Sequence, residues 1–400
     1  MKSKKIYLDY ASSAELGGAN PSAIHTLGVA EKRKLESARA EVARVLGAHA
    51  DEIIFTSGAT EANNLAILGA IYPYPASPYS RGGRKEGAHI VTTNIEHASV
   101  LETCRHIGNA TFVEVESNGI VDPKKIRAAI RPDTVLVSVM YANNEIGAIQ
   151  PIREIAKEIR HYKKTRAQRL GPNAYPYFHT DAVQAANYLP LDVEKLGVDM
   201  LSLNGAKIYG PKGVGVLYKR RSVKLSPIMR GGDQEFGLRP GTENVKGAEA
   251  FARALTETEK IKEREAKRLT KLRDYFFAKL SRLNLDMQIN GDLKDRLPNN
   301  VNITVPKTPS DLLVLELDAR GIYASAKSAC KAGDGKDSHV ILAIRSKDGL
   351  PAEALPVRQA GLAEAGSIRF SMGRDTKKSD IDYTLKALSE ILTKLKKWYS

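Results

Sequence analysis

Between about residues 50 and 220 the chain alternates short β-branched runs with helical patterns, and no other feature limits its fold so strongly. Ile53–Thr56, His89–Thr92, Thr111–Val115, Val135–Met140, Tyr177–Thr180, Met200–Leu203 and Val214–Tyr218 read as strands. Glu61–Ile71, Ala98–His106, Pro123–Ile130 and a stretch opened by Pro151 read as helices between them. Val135–Met140 is nearly all apolar, as a parallel strand covered on both faces requires. Such alternation predicts an open, mostly parallel sheet with helices on both faces, and ligands on such sheets sit at the carboxyl ends of the strands.

After Gly247 the pattern changes to a long charged helical stretch reaching about Leu283, with strands and helices again from Val301. We therefore expect a large domain over 12–250 and a smaller α+β domain over 251–400, to which the N-terminal segment 1–11 belongs. Three stretches, 72–87, 162–176 and 346–366, read as surface loops, the third with or without a short helix.

Composition narrows the function. No run reaches the roughly 18 uncharged apolar residues of a spanning helix. The lysine-rich Met1–Ile6 leads into Tyr7-Leu8-Asp9-Tyr10, which is too polar for a signal-peptide core. Two cysteines, Cys104 and Cys330, exclude a disulfide framework and a zinc site needing several thiolates, so a reducing, cytoplasmic setting and no metal are expected. The net charge of +15 is spread over short runs such as Lys163-Lys164 and Arg220-Arg221 without interleaved aromatics. That pattern describes a basic surface rather than a nucleic-acid site.

Several residues are placed for chemistry. Thr56-Ser57-Gly58-Ala59-Thr60-Glu61 joins a strand to a helix, where exposed N–H groups bind anions; alternatively Thr60 is an ordinary helix cap. Asp181 follows a buried strand and suits a protonated ring nitrogen, or caps a helix from Ala182. Lys207 follows the strand Met200–Leu203, where desolvation would make its amine nucleophilic, or it is solvated as most lysines are. His97, at a strand-to-helix turn, suits stacking and proton transfer, or a purely structural role. Cys330 lies between Lys327 and Lys331, which favour a thiolate, whereas Cys104 falls inside a helix and reads as inert core. Arg369 has the planar fork that clamps a carboxylate, or is a surface strand residue.

These segments resemble cysteine desulfurases of the class V aminotransferase group. The likeness runs through Tyr7-Leu8-Asp9-Tyr10-Ala11, Thr56 to Glu61, Glu96-His97, Asn143-Asn144-Glu145-Ile146-Gly147 and Asp181 with Gln184. It continues through Lys207 to Gly213, Arg239-Pro240-Gly241-Thr242, Ser328-Ala329-Cys330 and Ser367 to Gly373. The resemblance implies a pyridoxal 5'-phosphate enzyme of fold type I, aminotransferase-like and homodimeric. It also implies L-cysteine as substrate and a sulfur-acceptor protein as partner, either an iron–sulfur scaffold or a tRNA-thiolation relay. By the same resemblance Lys207 is the Schiff-base lysine, Asp181 holds the ring nitrogen, Gln184 the ring hydroxyl side, and His97 stacks on the ring. Ala59 and Thr60 bind phosphate together with Thr242 of the partner subunit. Asn144 and Arg369 hold the substrate carboxylate, and Cys330 accepts sulfur.

Three positions depart from the family pattern. Asn204 and Ala206 stand where the family has Ser-x-His before the lysine, both of them phosphate ligands. Lys327 stands where it often has glycine. Selenocysteine lyase, cysteine-sulfinate desulfinase, transaminase and non-catalytic scaffold are the alternative functions; a transaminase has no need of Cys330, and a scaffold none of Lys207.

Overall fold

The computed structural model describes residues 7–13, 18–72, 87–170, 176–283, 286–306, 308–326, 338–345 and 366–399. Cys330, Lys327 and Lys331, with most of 72–87 and 346–366, lie outside the described residues.

Seven strands build one sheet: β1 (Ile53–Thr56), β2 (His89–Thr93), β3 (Ala110–Val113), β4 (Thr134–Ser138), β5 (Tyr177–Asp181), β6 (Met200–Asn204) and β7 (Gly215–Lys219), in the order β1-β7-β6-β5-β4-β2-β3. From β3 to β6 every pairing is parallel. β7 runs antiparallel to both β6 and β1. The segment 205–214 between β6 and β7 is too short for the crossover that a parallel return needs. Two reversals leave β1 running the same way as β6, so its carboxyl end opens on the same edge of the sheet.

The helices α1 (Thr26–Leu46), α2 (Ala59–Ile71), α3 (Ala98–Ile107), α4 (Pro123–Ala129), α5 (Ile152–Leu170) and the short α6 (Val193–Leu196) flank this sheet. Residues of β1, β2, β4 and β5 are buried throughout, because both faces are covered. Leu65 and Ala66 of α2 and Val100 of α3 fill one core. Leu35 of α1, Ile126 of α4 and Ile155 of α5 fill the other. The stretch 162–176, expected to be a loop, is helical as far as Leu170. Residues 162–170 hold no glycine or proline to stop α5, and Gly171-Pro172 follow.

A second sheet of β8 (Gln288–Ile289), β9 (Asn300–Val305) and β10 (Gly366–Ser371), in the order β10-β9-β8, is antiparallel. The long helix α7 (Val245–Leu280) contributes to two cores. Phe251 and Leu255 enter the core shared with α1, α4 and α5, while Leu269, Phe276 and Leu280 enter a third core beneath the second sheet. Residues of α8 (Ser310–Asp318) and α10 (Lys378–Tyr399) complete that third core. Helix α9 (His339–Arg345) instead packs Val340, Ile341 and Ile344 on the core of α1, α4 and α5. Among the described residues no helix is long and apolar enough to cross a membrane.

Candidate active site

The segments that follow β1, β2, β4, β5 and β6 meet β10 at a cavity of about 480 Å³. Ala59, Thr60, His97 and Asn144 line it, with Asp181 and Gln184 after them in the chain. Asn204, Lys207 and Arg369 complete the set.

Helix α2 starts the site. Its cap is Gly58, which offers no side-chain hydrogen bond, so Thr60 lies within the first turn and is not the cap. First-turn N–H groups have no intrahelical acceptor, and here no side chain caps them. The nearest carboxylate, Glu61, is turned back: it accepts from Ser57 N at 2.7 Å and from Arg239 Nε at 3.0 Å. Burial raises the Glu61 pKa, but the Ser57 hydrogen bonds and Arg239 outweigh it and hold the carboxyl below its usual range. The Arg239 motif is thereby fastened to the helix that forms the anion cradle.

Asp181 ends β5 and is buried. Oδ2 accepts from Asn63 Nδ2 at 2.7 Å and Oδ1 from Val183 N at 3.0 Å. Turns rather than a helix follow it, so its carboxylate serves the cavity and one local turn. His97 caps α3, its Nδ1 accepting from Ser99 N at 3.1 Å and lying 2.8 Å from Ser99 Oγ. Ser99 Oγ in turn accepts from Asn63 Nδ2 at 2.9 Å.

Lys207 lies in a 3₁₀ turn directly after β6. Of the two sequence readings, desolvated or solvated, the structure shows the solvated one: the residue is exposed, because the turn carries it past the sheet end to the open cavity. What is fixed is its backbone. Asn187 Nδ2 donates to Lys207 O at 2.5 Å, and Thr258 Oγ1 to Ile208 O at 3.3 Å. Tyr209 adopts φ 59°, and its hydroxyl accepts from Arg374 N at 3.1 Å. The Arg374 guanidinium lies 3.8 Å from the centre of the Tyr209 ring. Asn204 Oδ1 caps the turn through Ala206 N at 3.3 Å, which leaves its NH₂ as donor. At the next cavity position Ala206 offers only a methyl group.

Arg369 comes from the second sheet. Nη1 donates to Asn144 O at 2.9 Å, while the buried Nε has no partner among the described residues. Burial lowers its pKa, opposed by the more distant Glu145. Among the described residues no carboxylate forms a salt bridge with it, so a half-buried cation stands unpaired at the cavity wall, where an anion would complete it.

Two neighbouring groups are set by burial. Glu96 accepts from Thr93 Oγ1 at 2.6 Å and from Met140 N at 3.0 Å, yet burial drives its pKa up to about 8. Cys104 is fully buried and its thiol is pushed up to about 12, which makes it an inert core residue, as the sequence suggests. Thr242 is exposed ahead of α7 and does not line this cavity. Among the described residues no group of three or more His, Cys, Asp or Glu is placed to hold a metal.

Sequence reasoning missed Asn63, Ser99, Asn187 and Tyr209. Asn63 left one signal: it lies three residues beyond Thr60, one turn on from the cradle and on the same side of α2.

The donor set fits pyridoxal phosphate. An uncapped helix N-terminus suits its phosphate, a carboxylate held at both oxygens suits its ring nitrogen, and a lysine stands at the same cavity. A mostly parallel α/β sheet carrying this set at its strand ends defines a pyridoxal-phosphate enzyme of fold type I. Within that class the chain belongs to the class V aminotransferases: the family described as "Aminotransferase class-V" matches residues 4–384. It is 38% identical to "Cysteine desulfurase IscS" of Dictyoglomus turgidum, over 98% of this chain and 96% of that one. It is 41% identical to "Cysteine desulfurase IscS" of Methanosarcina thermophila, over 94% and 86% of the two chains. A solved "NIFS-LIKE PROTEIN" superposes with a TM-score of 0.78 at 33% identity, covering 94% of this chain and 92% of that one.

Proposed function

We propose that this chain is a pyridoxal-phosphate-dependent cysteine desulfurase that converts L-cysteine to L-alanine and carries the sulfur on Cys330. One observation carries the reading: Lys207, Asp181 and the uncapped start of α2 share a cavity with Arg369, a half-buried cation whose buried Nε is unpaired among the described residues. The relatives named cysteine desulfurase support the choice of reaction.

Bound pyridoxal phosphate supplies an electron sink beside the substrate Cα. The remaining work falls to the chain. Arg369 binds the substrate carboxylate, with Asn144 held beside it. Lys207 Nζ moves the Cα proton. Asp181 holds the proton at the ring nitrogen, Gln184 faces the ring hydroxyl, and His97 packs on the ring. The first turn of α2 and the Asn204 amide hold the phosphate, joined by Thr242 of the partner subunit in a homodimer. The Cys330 thiolate attacks the substrate sulfur. An S–S bond forms as the C–S bond breaks, alanine leaves, and Cys330 carries a persulfide. Lys327 and Lys331 favour the thiolate. The reading places the enzyme in the cytoplasm, with two domains over 12–250 and 251–400. Its sulfur is passed to an iron–sulfur scaffold or a tRNA-thiolation relay.

The test is product analysis with L-cysteine, selenocysteine and cysteine sulfinate as separate substrates. Alanine should form fastest from L-cysteine, with added sulfur on the Cys330 peptide by mass spectrometry. Lys207→Ala should abolish turnover and leave no borohydride-reducible adduct. Full activity in Cys330→Ser, or keto acid in place of alanine, would refute the reading.

A further inference from the structure

We propose that Asn63 is a positioning residue that holds Asp181 and His97 as one hydrogen-bonded unit; the assignment rests on the cofactor site described above. Asn63 is completely buried in α2, and its single NH₂ group donates twice, to Asp181 Oδ2 at 2.7 Å and to Ser99 Oγ at 2.9 Å. An ionised carboxylate only accepts, so this contact fixes which way the amide faces. Turning it over would press Oδ1 against a carboxylate oxygen.

The direction of the amide then sets the next link. Ser99 Oγ receives a hydrogen from Asn63, which leaves the hydroxyl hydrogen for His97 Nδ1 at 2.8 Å. Ser99 N donates to the same Nδ1 at 3.1 Å. With Nδ1 accepting, the neutral imidazole carries its proton on Nε2. At the other end, Val183 N reaches Asp181 Oδ1 at 3.0 Å, so both carboxylate oxygens are tied and Asn63 supplies one of the two ties.

Core packing alone does not ask for an amide here. The neighbours Ala62, Leu65 and Ala66 are apolar, and Asn63 Oδ1 has no partner among the described residues. A buried acceptor left unpaired is costly. What offsets it is the pair of donated bonds, and both end on groups that face the cofactor cavity.

The experiment compares wild type with Asn63→Leu, Asn63→Asp and Ser99→Ala, each loaded with pyridoxal phosphate. It records cofactor loss on dialysis, the pH titration of the cofactor's visible absorbance, and the thermal midpoint of the apoprotein. A hydrogen bond to a charged group leads us to expect cofactor loss at least about tenfold faster in both Asn63 variants. Their absorbance titration should move by on the order of one pH unit. Ser99→Ala keeps the Asn63–Asp181 bond and should lose cofactor more slowly than either. Should Asn63→Leu fail to fold, Asn63→Ser reads the same quantities.

Unchanged retention and titration in a folded Asn63 variant would overturn the assignment. So would equal losses in Ser99→Ala and Asn63→Leu, which would mark a general packing effect. If wild type takes up no pyridoxal phosphate, the functional reading itself fails; if it does and the variants hold it equally well, only the role of Asn63 fails.

Discussion

Glu96 keeps its proton to about pH 8 in the folded chain, whereas an exposed glutamate releases it near its ordinary value of 4.5. Folding therefore binds a proton between those values, and the stabilisation this provides is full below about 4.5 and lost as pH rises to about 8. His89 and His179 act in the opposite sense. Burial pushes them down to about 4 and about 3, so their contribution is present above their ordinary 6.5 and lost as pH falls. Comparing wild type with Glu96→Gln isolates the glutamate. Urea unfolding from pH 5 to 8 should show the variant gaining on wild type, by at most about 1.4 kcal/mol per pH unit. A difference that stays flat with pH would show Glu96 to be ionised in the folded protein. Ala206 offers a second residue-level test. A methyl donates nothing to an anion, so Ala206→His should slow cofactor loss about tenfold in dialysis. Residues of this kind differ in how far the sequence betrays them. Lys207, Asp181 and His97 were legible because each stands just beyond a run that reads as a strand. Asn63 was not, because its partners Asp181 and Ser99 come from other elements and a single asparagine carries no mark of them.

At the scale of elements, the turn after β6 carries a strained residue. Tyr209 sits at φ 59°, a region costly for any residue with a Cβ. What holds it there is the stack on Arg374 and the hydrogen bond from Arg374 N. Tyr209→Ala removes the stack and keeps the strain, whereas Tyr209→Gly removes both. The glycine variant should therefore be the more stable of the two, by about 1 kcal/mol in denaturant unfolding. Equal stabilities would mean that the left-handed backbone costs nothing here. Strand positions were readable to within about two residues because buried parallel strands are continuous apolar runs. The reversal of β7 was not, since an apolar run gives no direction and only the short segment 205–214 hints at it. Reading 162–176 as a loop gave a few polar residues the weight that belongs to glycine and proline, which begin at Gly171.

On the scale of the whole molecule, the cavity depends on residues far apart in the chain. Arg369 of β10 reaches Asn144, and Arg374, further along the same segment, grips the Lys207 turn. Sequence pattern alone could not have joined the second sheet to the first, and the family resemblance supplied that link. Thr242 presents the opposite case, a proposed phosphate ligand that stands exposed and away from the cavity of its own chain. Ile24, 98% exposed, and Phe236, 55% exposed, are large apolar side chains that a second copy would be expected to cover. If Thr242 of the partner subunit completes the site, damage to the two residues must complement. A Lys207→Ala chain lacks the lysine and keeps Thr242, while a Thr242→Pro chain does the reverse. Mixed dimers then contain one site with an intact Lys207 and Thr242 supplied from across the interface. After the two variants are unfolded and refolded together, borohydride-reducible cofactor should be retained through dialysis in a fraction of the chains. Either variant refolded alone should retain little. Light scattering of the wild type should give a dimer, and Ile24→Asp should shift it toward monomer with faster cofactor loss. A monomer that holds pyridoxal phosphate and turns over cysteine would refute the shared site. So would mixtures that retain no more than the average of their parents.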